Sequence, residues 1–200
     1  TRPPKVEMVK PDIMYVNLAQ ITDKVFEEAL PKLEKARGII FDLRGYPRVG
    51  TDPIAHLIDE PVASARWHVP VGVQPDPQDM AFAFSNWSVQ PKKPRLTAKT
   101  AFLTDGRAVS YAETYMGIIE HYKLAAIVGG PTAGTNGNLN PLALPGGSTV
   151  SWTGMKVLKH GGSRHHGSGI QPTVPVSRTI KGVAEGRDEV LERAIEIVKP

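Results

Sequence analysis

The chain has 200 residues, of which 40% are hydrophobic and 22% charged, and its formal net charge is +4. These values are ordinary for a globular chain and suit one domain with a substantial core. No apolar run approaches the roughly 20 residues of a transmembrane helix. Lys and Arg are scattered rather than clustered, which argues against nucleic-acid binding. The lack of Cys excludes disulfides and thiolate metal sites.

The N-terminal part of the chain predicts a parallel β-α-β unit. Residues 13–18 (IMYVNL) predict a strand, and residues 38–43 (GIIFDL) form the apolar run of a strand buried on both faces. Between them, Thr22 or Asp23 caps a predicted helix with an apolar stripe. The stripe consists of Val25, Phe26, Ala29, Leu30 and Leu33. Pro31 lies inside this pattern and is expected to kink or split the helix.

The middle of the chain is dotted with proline. Residues 51–59 predict a short helix that carries His56. Residues 60–98 follow, including the segment 73–77 (VQPDP), and contain the aromatic residues Phe82, Phe84 and Trp87. Because long loops in compact domains are often functional, this region predicts a flap over a site or a docking surface.

The second half predicts alternating strands and helices. Residues 101–103 predict a buried strand, followed by a turn at residues 105–106 and a helix that begins at Ser110. Further strands are predicted at residues 124–128, 142–144, 149–152 and 155–158, with a closing helix over residues 188–198. No internal repeat or second domain is visible, so residues 1–200 are expected to form one domain.

Ser110 allows two interpretations. Ser110 and Glu113 have the spacing of a capping box, in which each side chain bonds the backbone N–H of the other residue. Alternatively, a serine between a strand and a helix lies beside unpaired N–H groups at the positive end of the helix dipole. Those groups would stabilise an oxyanion formed by a nucleophilic serine. Spacing alone leaves both roles open.

Four segments resemble, in order, sequence blocks of the S41 peptidases, the C-terminal-processing (tail-specific) and tricorn-like serine proteases. Residues 110–113 (SYAE) resemble the Ser-x-x-Glu block that carries the nucleophile. The other three are residues 38–47 (GIIFDLRGYP), 127–135 (IVGGPTAGT) and 167–176 (GSGIQPTVPV). They resemble the Asp-Leu-Arg-Gly-Asn-Pro-Gly-Gly loop, the Gly-x-x-Thr-x-Gly-Lys segment and the Gly-x-Gly-Ile-x-Pro-Asp block.

The resemblance implies a ClpP/crotonase-like α/β fold, with a largely parallel sheet wrapped by helices and smaller C-terminal strands. It implies serine-dependent hydrolysis of a peptide or protein, without a cofactor or metal, and with Ser110 as nucleophile. The oxyanion-hole N–H groups would come from Tyr111 and Arg48, although the family has Gly-Gly where Arg48 and Val49 stand. The residues expected to bind substrate are Gly45, Thr135 and Asn136. Asp42 and Arg44 belong to the segment that resembles the family's Asp-Leu-Arg-Gly loop. For their side chains, a purely structural salt bridge at the end of the strand is an equally good interpretation.

The general base is the main departure from the family. The processing proteases use a lysine in the Thr-x-Gly-Lys segment, but Thr135 stands there and no lysine occurs between Lys123 and Lys156. A Ser–Lys dyad on that segment is excluded. The resemblance places His166 where the tricorn branch has a carboxylate, and an imidazole can act as a base near neutral pH. His165 and His166 make a poor metal site, because adjacent residues seldom both reach one ion.

Two other functions stay open at this point: a catalytically impaired peptide-binding relative and, more distantly, a crotonase-type acyl-thioester enzyme. The chain begins without Met, which suggests a processed protein or part of a longer one. The resemblance to the tricorn branch, which uses a histidine from an upstream segment, implies that an equivalent histidine would lie upstream of Thr1. We accordingly expect residues 1–200 alone to be weakly active or inactive as a peptidase. We also expect an exported, periplasmic or extracytoplasmic location, and an oligomeric state is open to the protein.

Overall fold

The computed structural model describes residues 2–72 and 80–200 and contains strands and helices along most of this length. The strands are β1 (Val6–Lys10), β2 (Ile13–Asn17), β3 (Gly38–Asp42), β4 (Val62–Ala63), β5 (Trp67–Val71), β6 (Ala81–Ser85), β7 (Ser88–Val89), β8 (Lys99–Thr104), β9 (Ala126–Gly129), β10 (Asn140–Ala143), β11 (Thr149–Trp152), β12 (Lys156–Val157) and β13 (Val174–Pro175). The helices are α1 (Asp23–Lys35), α2 (Asp52–Ala55), α3 (Tyr111–Tyr122), α4 (Ile180–Ala184) and α5 (Glu189–Val198).

A six-stranded sheet forms the centre of the molecule, in the order β1-β2-β3-β8-β9-β13. Strands β2, β3, β8, β9 and β13 are parallel, and β1 pairs antiparallel with β2 at one edge. The predicted unit of strand, helix and strand is therefore confirmed, as is the mixed α/β class with a largely parallel sheet. Strand β1 and helix α4 were not predicted.

Both faces of the sheet are covered, which explains the continuous apolar runs of its central strands. On one face, alternate residues such as Phe41 and Phe102 pack with side chains of α1, α2 and α3, including Phe26 and Tyr115. On the other face, Ile40 and its neighbours pack with α5. Because parallel strands end at one edge, this arrangement brings the loops after β3, β8 and β9 together.

Helix α1 corrects one expectation, because it runs unbroken past Pro31. A proline inside a helix removes one backbone N–H and leaves a carbonyl one turn earlier without its partner. Pro31 is exposed, so that carbonyl can be hydrated. The apolar stripe of α1, anchored by buried Phe26 and Leu33, holds the helix on the sheet.

Residues 60–98 contain more regular structure than the predicted flap. Strands β4 and β7 form one antiparallel pair, and β12, β5 and β6 form a three-stranded sheet. Phe84 on β6 is exposed, whereas the ring of Trp87 packs 5.1 Å from that of Tyr111 at the start of α3. Residues 73–77 lie outside the described part of the chain. Strands β10 and β11 form a separate hairpin.

No helix within residues 2–72 or 80–200 is both long enough and apolar enough to cross a bilayer.

Candidate active site

Ser110 lines a cleft of about 280 Å³, close to the lower end of the range of about 300–1,000 Å³ found for ligand sites. Strand β8 ends at Thr104, and six residues later the chain reaches Ser110 and enters α3. The cleft is lined by aromatic, neutral polar and methionine side chains from strands β5 and β6, helix α3 and several loops. These are Tyr46, Trp67, Ser85, Trp87, Ser110, Tyr111, Thr114, Asn136, Asn138 and Met155.

The backbone of Ser110 has φ +52° and ψ −108°. A side chain at such angles is strained, and residues held in sparsely populated regions cost about 1–3 kcal/mol. An ordinary N-cap has extended angles, so capping does not require this conformation. Two acceptors hold the Ser110 N–H in place: the Thr135 carbonyl at 2.8 Å and Glu113 Oε2 at 3.3 Å.

Ser110 and Glu113 have the arrangement of a capping box, but the two halves differ in quality. The Glu113 carboxylate accepts a hydrogen bond from the Ser110 N–H. In the other direction, the Glu113 N–H donates to the carbonyl oxygen of Ser110 at 2.9 Å. The Ser110 hydroxyl makes no well-formed cap bond to the first turn of α3, as the structure describes it. The hydroxyl thus faces the Glu113 N–H in the capping-box arrangement but is not held by a close hydrogen bond to it.

Glu113 is the centre of a buried network that fixes the loop after β9. Its carboxylate accepts hydrogen bonds from Thr132 Oγ1 at 2.6 Å, Gly134 N at 2.7 Å and Thr135 N at 2.8 Å. Gly134 has φ +72°, and a Cβ there would lie 2.9 Å from Gly167 N. Only glycine permits this close approach between the two loops.

Burial would raise the pKa of Glu113, but the nearby His165 ring and the hydrogen bonds from Thr132 and Gly134 together lower it. The carboxylate is thus ionised near neutral pH and serves as an acceptor. His165 Nε2 lies 3.3 Å from Glu113 Oε1, at an angle outside that of a good hydrogen bond. Glu113 therefore positions Thr135, whose carbonyl holds Ser110.

The resemblance implied that the N–H group of Tyr111 is an oxyanion donor. It follows Ser110 at the positive end of α3 and donates to no acceptor within the described residues. The Tyr111 phenol donates to the Val49 carbonyl at 2.8 Å. Burial, with the nearby carboxylates and Tyr46, raises the pKa of Tyr111 to about 12, so the phenol stays protonated.

Arg48 departs from its predicted role. Its N–H donates to the Leu18 carbonyl at 2.9 Å, so in this structure it is not free to bind an oxyanion. Arg48 also does not line the cleft. In the same loop, the N–H groups of Tyr46 and Val49 have no acceptor within the described residues.

The predicted substrate-binding residues lie at different distances from the cleft. Asn136 lines it, with its amide nitrogen bonded to Thr114 Oγ1 at 2.9 Å. Thr135 acts through its backbone, which joins Glu113 to Ser110. Gly45 does not line the cleft but precedes Tyr46, which does. Its φ of +152° is one that a side chain rarely adopts.

His166 lies behind Asn136. Its Nε2 is 2.8 Å from the Asn136 carbonyl, and a carbonyl can only accept, so Nε2 carries the proton. In the neutral ring, Nδ1 is then the basic nitrogen. None of the described residues that line the cleft has an Asp, Glu, His or Lys side chain. Among residues 2–72 and 80–200, no three His, Asp or Glu side chains are grouped to hold a metal ion.

The predicted salt bridge between Asp42 and Arg44 is confirmed, because the two side chains form a buried ion pair at the end of β3. Arg44 Nη2 lies 2.6 Å from Asp42 Oδ2, and Arg44 Nη1 lies 2.7 Å from Asp188 Oδ1 at the start of α5. Burial opposes the charge, yet the two carboxylates raise the pKa of Arg44. This pair fixes the loop that begins at Gly45.

The sequence placed Trp87 in a predicted flap over a site, and Trp87 lines the cleft, but it did not indicate Trp67 or Met155. Trp67 and Trp87 come from β5 and from the turn between β6 and β7, inside the region expected to be a flap. Met155 follows the β10–β11 hairpin. Their only signal in the sequence is the number of aromatic residues in a proline-rich region, which does not indicate where they pack.

Comparisons with known proteins agree with this architecture. A candidate peptidase from Parabacteroides merdae gives a TM-score of 0.77 at 19% identity, covering 98% of this chain and 64% of that one. Mature CPAF in complex with lactacystin gives 0.72 at 13% identity, covering 94% and 51%. The D1 C-terminal processing protease of photosystem II gives 0.61 at 18% identity, covering 94% and 47%. A comparison with curated protein sequences found no match.

At these low identities the structural likeness shows a shared fold and no more. The chain spans between 47% and 64% of the length of the three structures. The sequence itself matches the profile of Peptidase family S41 over residues 12–176. That range runs from just before β2 to just after β13 and contains Ser110. The chain therefore belongs to peptidase family S41.

Proposed function

We propose that the protein is a serine peptidase in which Ser110 is the nucleophile. The observation that carries this proposal is the strained backbone of Ser110, combined with its hydroxyl free of a well-formed cap bond. Strain of this kind persists only where surrounding structure enforces it, and it clusters at functional sites. A strained serine between a strand and a helix, with its oxygen at a cleft, also occurs in other serine hydrolases.

The proposed reaction follows the usual course of acyl transfer. Ser110 Oγ attacks the carbonyl carbon of the scissile peptide bond, and its proton passes to a base. The oxyanion that forms accepts a hydrogen bond from the Tyr111 N–H. The C–N bond then breaks, the leaving amine takes the proton, and water hydrolyses the ester on Ser110.

A second donor for the oxyanion would come from the loop after β3. Arg48 can serve only if its bond to Leu18 opens, whereas the Tyr46 and Val49 N–H groups already lack acceptors among the described residues. Tyr46 lines the cleft. We therefore favour the Tyr46 N–H.

His166 remains our proposed base within the chain. Its hydrogen bond to the Asn136 carbonyl fixes the tautomer that leaves Nδ1 basic. The alternative is a histidine from polypeptide outside residues 1–200, for which the chain's partial coverage of the compared structures leaves room. Substitution of His166 by Ala separates the two, because only the first assignment requires a large loss of rate.

A peptide-binding protein without catalysis is the second candidate. It is favoured by the cleft lining, which carries no ionisable base among the described residues, and by the engaged N–H of Arg48. A crotonase-type thioester enzyme is the third and would not require Ser110. An extracytoplasmic location and an oligomeric state remain predictions for the whole protein.

Hydrolysis of peptides by the intact protein tests the proposal. We expect Ser110→Ala to lower the rate by about 10³-fold or more, because the nucleophile is lost. Ser85→Ala is the matched control, since Ser85 also lines the cleft and should leave the rate nearly unchanged. Peptide binding without any Ser110-dependent hydrolysis would instead support the second candidate.

A further inference from the structure

The β10–β11 hairpin presents an unpaired apolar face. Four of its large hydrophobic side chains are between 39% and 51% exposed, and Leu139 just before it is 69% exposed. The four are Leu142, Leu144, Val150 and Trp152. A two-stranded hairpin with an apolar face is marginal on its own, so a surface of this kind indicates an interaction site.

The register of the hairpin sorts its side chains onto two faces. Leu142 pairs with Val150, and Asn140 pairs with Trp152. Because alternate residues share a face, the large apolar side chains lie together on one side. The opposite side carries smaller residues, with Ala143 opposite Thr149 and Pro141 opposite Ser151. One face of the hairpin therefore carries large apolar side chains, and the other carries smaller and more polar ones.

Charge points to the chemistry of the partner. Residues 124–155 contain no Asp, Glu, Lys, Arg or His, although 22% of the whole chain is charged. A surface without charge offers nothing to an acidic or basic partner, and burying a charge against it would be unfavourable. The occupant should therefore be uncharged and apolar.

The residues that flank the hairpin on both sides line the cleft. Asn138 lies two residues before β10 and Met155 three residues after β11, and both line the cleft that holds Ser110. The Asn138 N–H lies 3.3 Å from Met155 Sδ, which joins the two ends. At about 3.3–3.6 Å per residue, the base of the hairpin lies within about 10 Å of the cleft wall.

We propose that the apolar face of the β10–β11 hairpin binds an uncharged, apolar segment of the substrate polypeptide as it extends from the cleft. The outer edges of β10 and β11 pair with no other described strand, so an extended peptide can also hydrogen-bond there. This inference rests on the proposed function, because the occupant is a substrate. It assigns a preference for apolar residues on one side of the scissile bond.

Binding to the intact Ser110→Ala protein tests this inference separately from hydrolysis. The probe is a fluorescein-labelled peptide of about 12 residues in which Leu and Ser alternate, so that Leu lies on one side of an extended chain. The comparison peptide has Glu in place of Leu. We expect the Leu peptide to bind at least about tenfold more tightly, because apolar surface is buried only with it.

Substitutions in the hairpin locate the binding. Leu142→Thr with Val150→Thr should raise the Kd of the Leu peptide about tenfold, whereas Ala143→Thr with Ser151→Thr on the opposite face should change it less than about twofold. Threonine suits a strand, and the melting temperature of each variant checks that it folds. Trp152→Phe should remove part of the change in tryptophan emission on binding while largely keeping affinity.

The inference is overturned if the two peptides bind equally, or if the Thr pair on the apolar face leaves the Kd unchanged. It is also overturned if sedimentation shows a dimer that the same Thr pair dissociates, because the face would then be covered by a second copy. Tight binding of the Leu peptide by an intact wild-type protein that hydrolyses no peptide would count against the proposed function alone.

Discussion

At the scale of single residues, Ser110 differs from an ordinary helix cap. The sequence predicted where the helix begins and offered capping and catalysis as alternatives. It did not predict a φ of +52°, because that angle depends on the Thr135 carbonyl, which holds the Ser110 N–H from a distant part of the chain. The hydrogen bond from the Arg48 N–H to the Leu18 carbonyl could not be predicted from the sequence either, because it also joins distant parts of the chain.

The strain at Ser110 predicts an unusual order of stability. Glycine has no Cβ and adopts positive φ readily, so Ser110→Gly should be more stable than Ser110→Ala by about 1 kcal/mol, measured by urea denaturation. Ser85 on β6 is the control, since glycine in a strand should be less stable than alanine there. A Ser110→Gly protein less stable than Ser110→Ala would show that the backbone is not strained.

At the scale of elements, the buried parallel strands and long helices were predictable, because their apolar patterns match their burial. The regular structure within residues 60–98 was not. Strands β4 to β7 are short and interrupted, and prolines such as Pro70 obscure their period. Their pairing depends on partners elsewhere, as β5 shows by pairing with β12.

The end of helix α3 carries a pH-sensitive contact. The ring of His121 stacks on that of His160 with centroids 4.0 Å apart, and His160 Nε2 lies 2.9 Å from the Ala63 carbonyl. Burial is the main cause that lowers the pKa of His160; the Ala63 carbonyl opposes it in part, the neighbouring His121 lowers the pKa further, and Glu120 has a smaller raising effect. The contact joins α3 to the segment after β12.

This contact predicts that stability falls in mild acid. Since the pKa of His160 is lower in the folded protein, the unfolded chain binds more protons once the pH falls through about 6.5. The free energy of unfolding is therefore unaffected by His160 protonation above about pH 6.5, and it decreases as the pH falls below that value. In urea denaturation between about pH 7.5 and pH 5.5, His160→Gln should lose less stability than the wild type.

His68→Gln is the control for this prediction, because His68 bonds a backbone carbonyl but stacks on no other histidine among the described residues. Its slope of stability against pH should follow that of the wild type. An unchanged slope in His160→Gln would contradict the account of the stacked pair.

At the scale of the whole molecule, the fold serves the site through the edge where β3, β8 and β9 end. The apolar faces of the sheet are buried against α1 and α3 on one side and α5 on the other. The resemblance implied a largely parallel sheet wrapped by helices, whereas the face on which each helix packs was not predicted. The residues that line the cleft come from separate parts of the chain between Tyr46 and Met155, so its walls depend on tertiary packing that local patterns do not encode.

The central claim is that Ser110 is an activated nucleophile. The most direct test is to treat the intact protein with a fluorophosphonate probe and to locate the label by mass spectrometry of its peptides. We predict labelling of Ser110, loss of labelling in Ser110→Ala, and retention in Ser85→Ala. Labelling that persists in Ser110→Ala, or no labelling of an intact protein that hydrolyses peptides, would contradict the account.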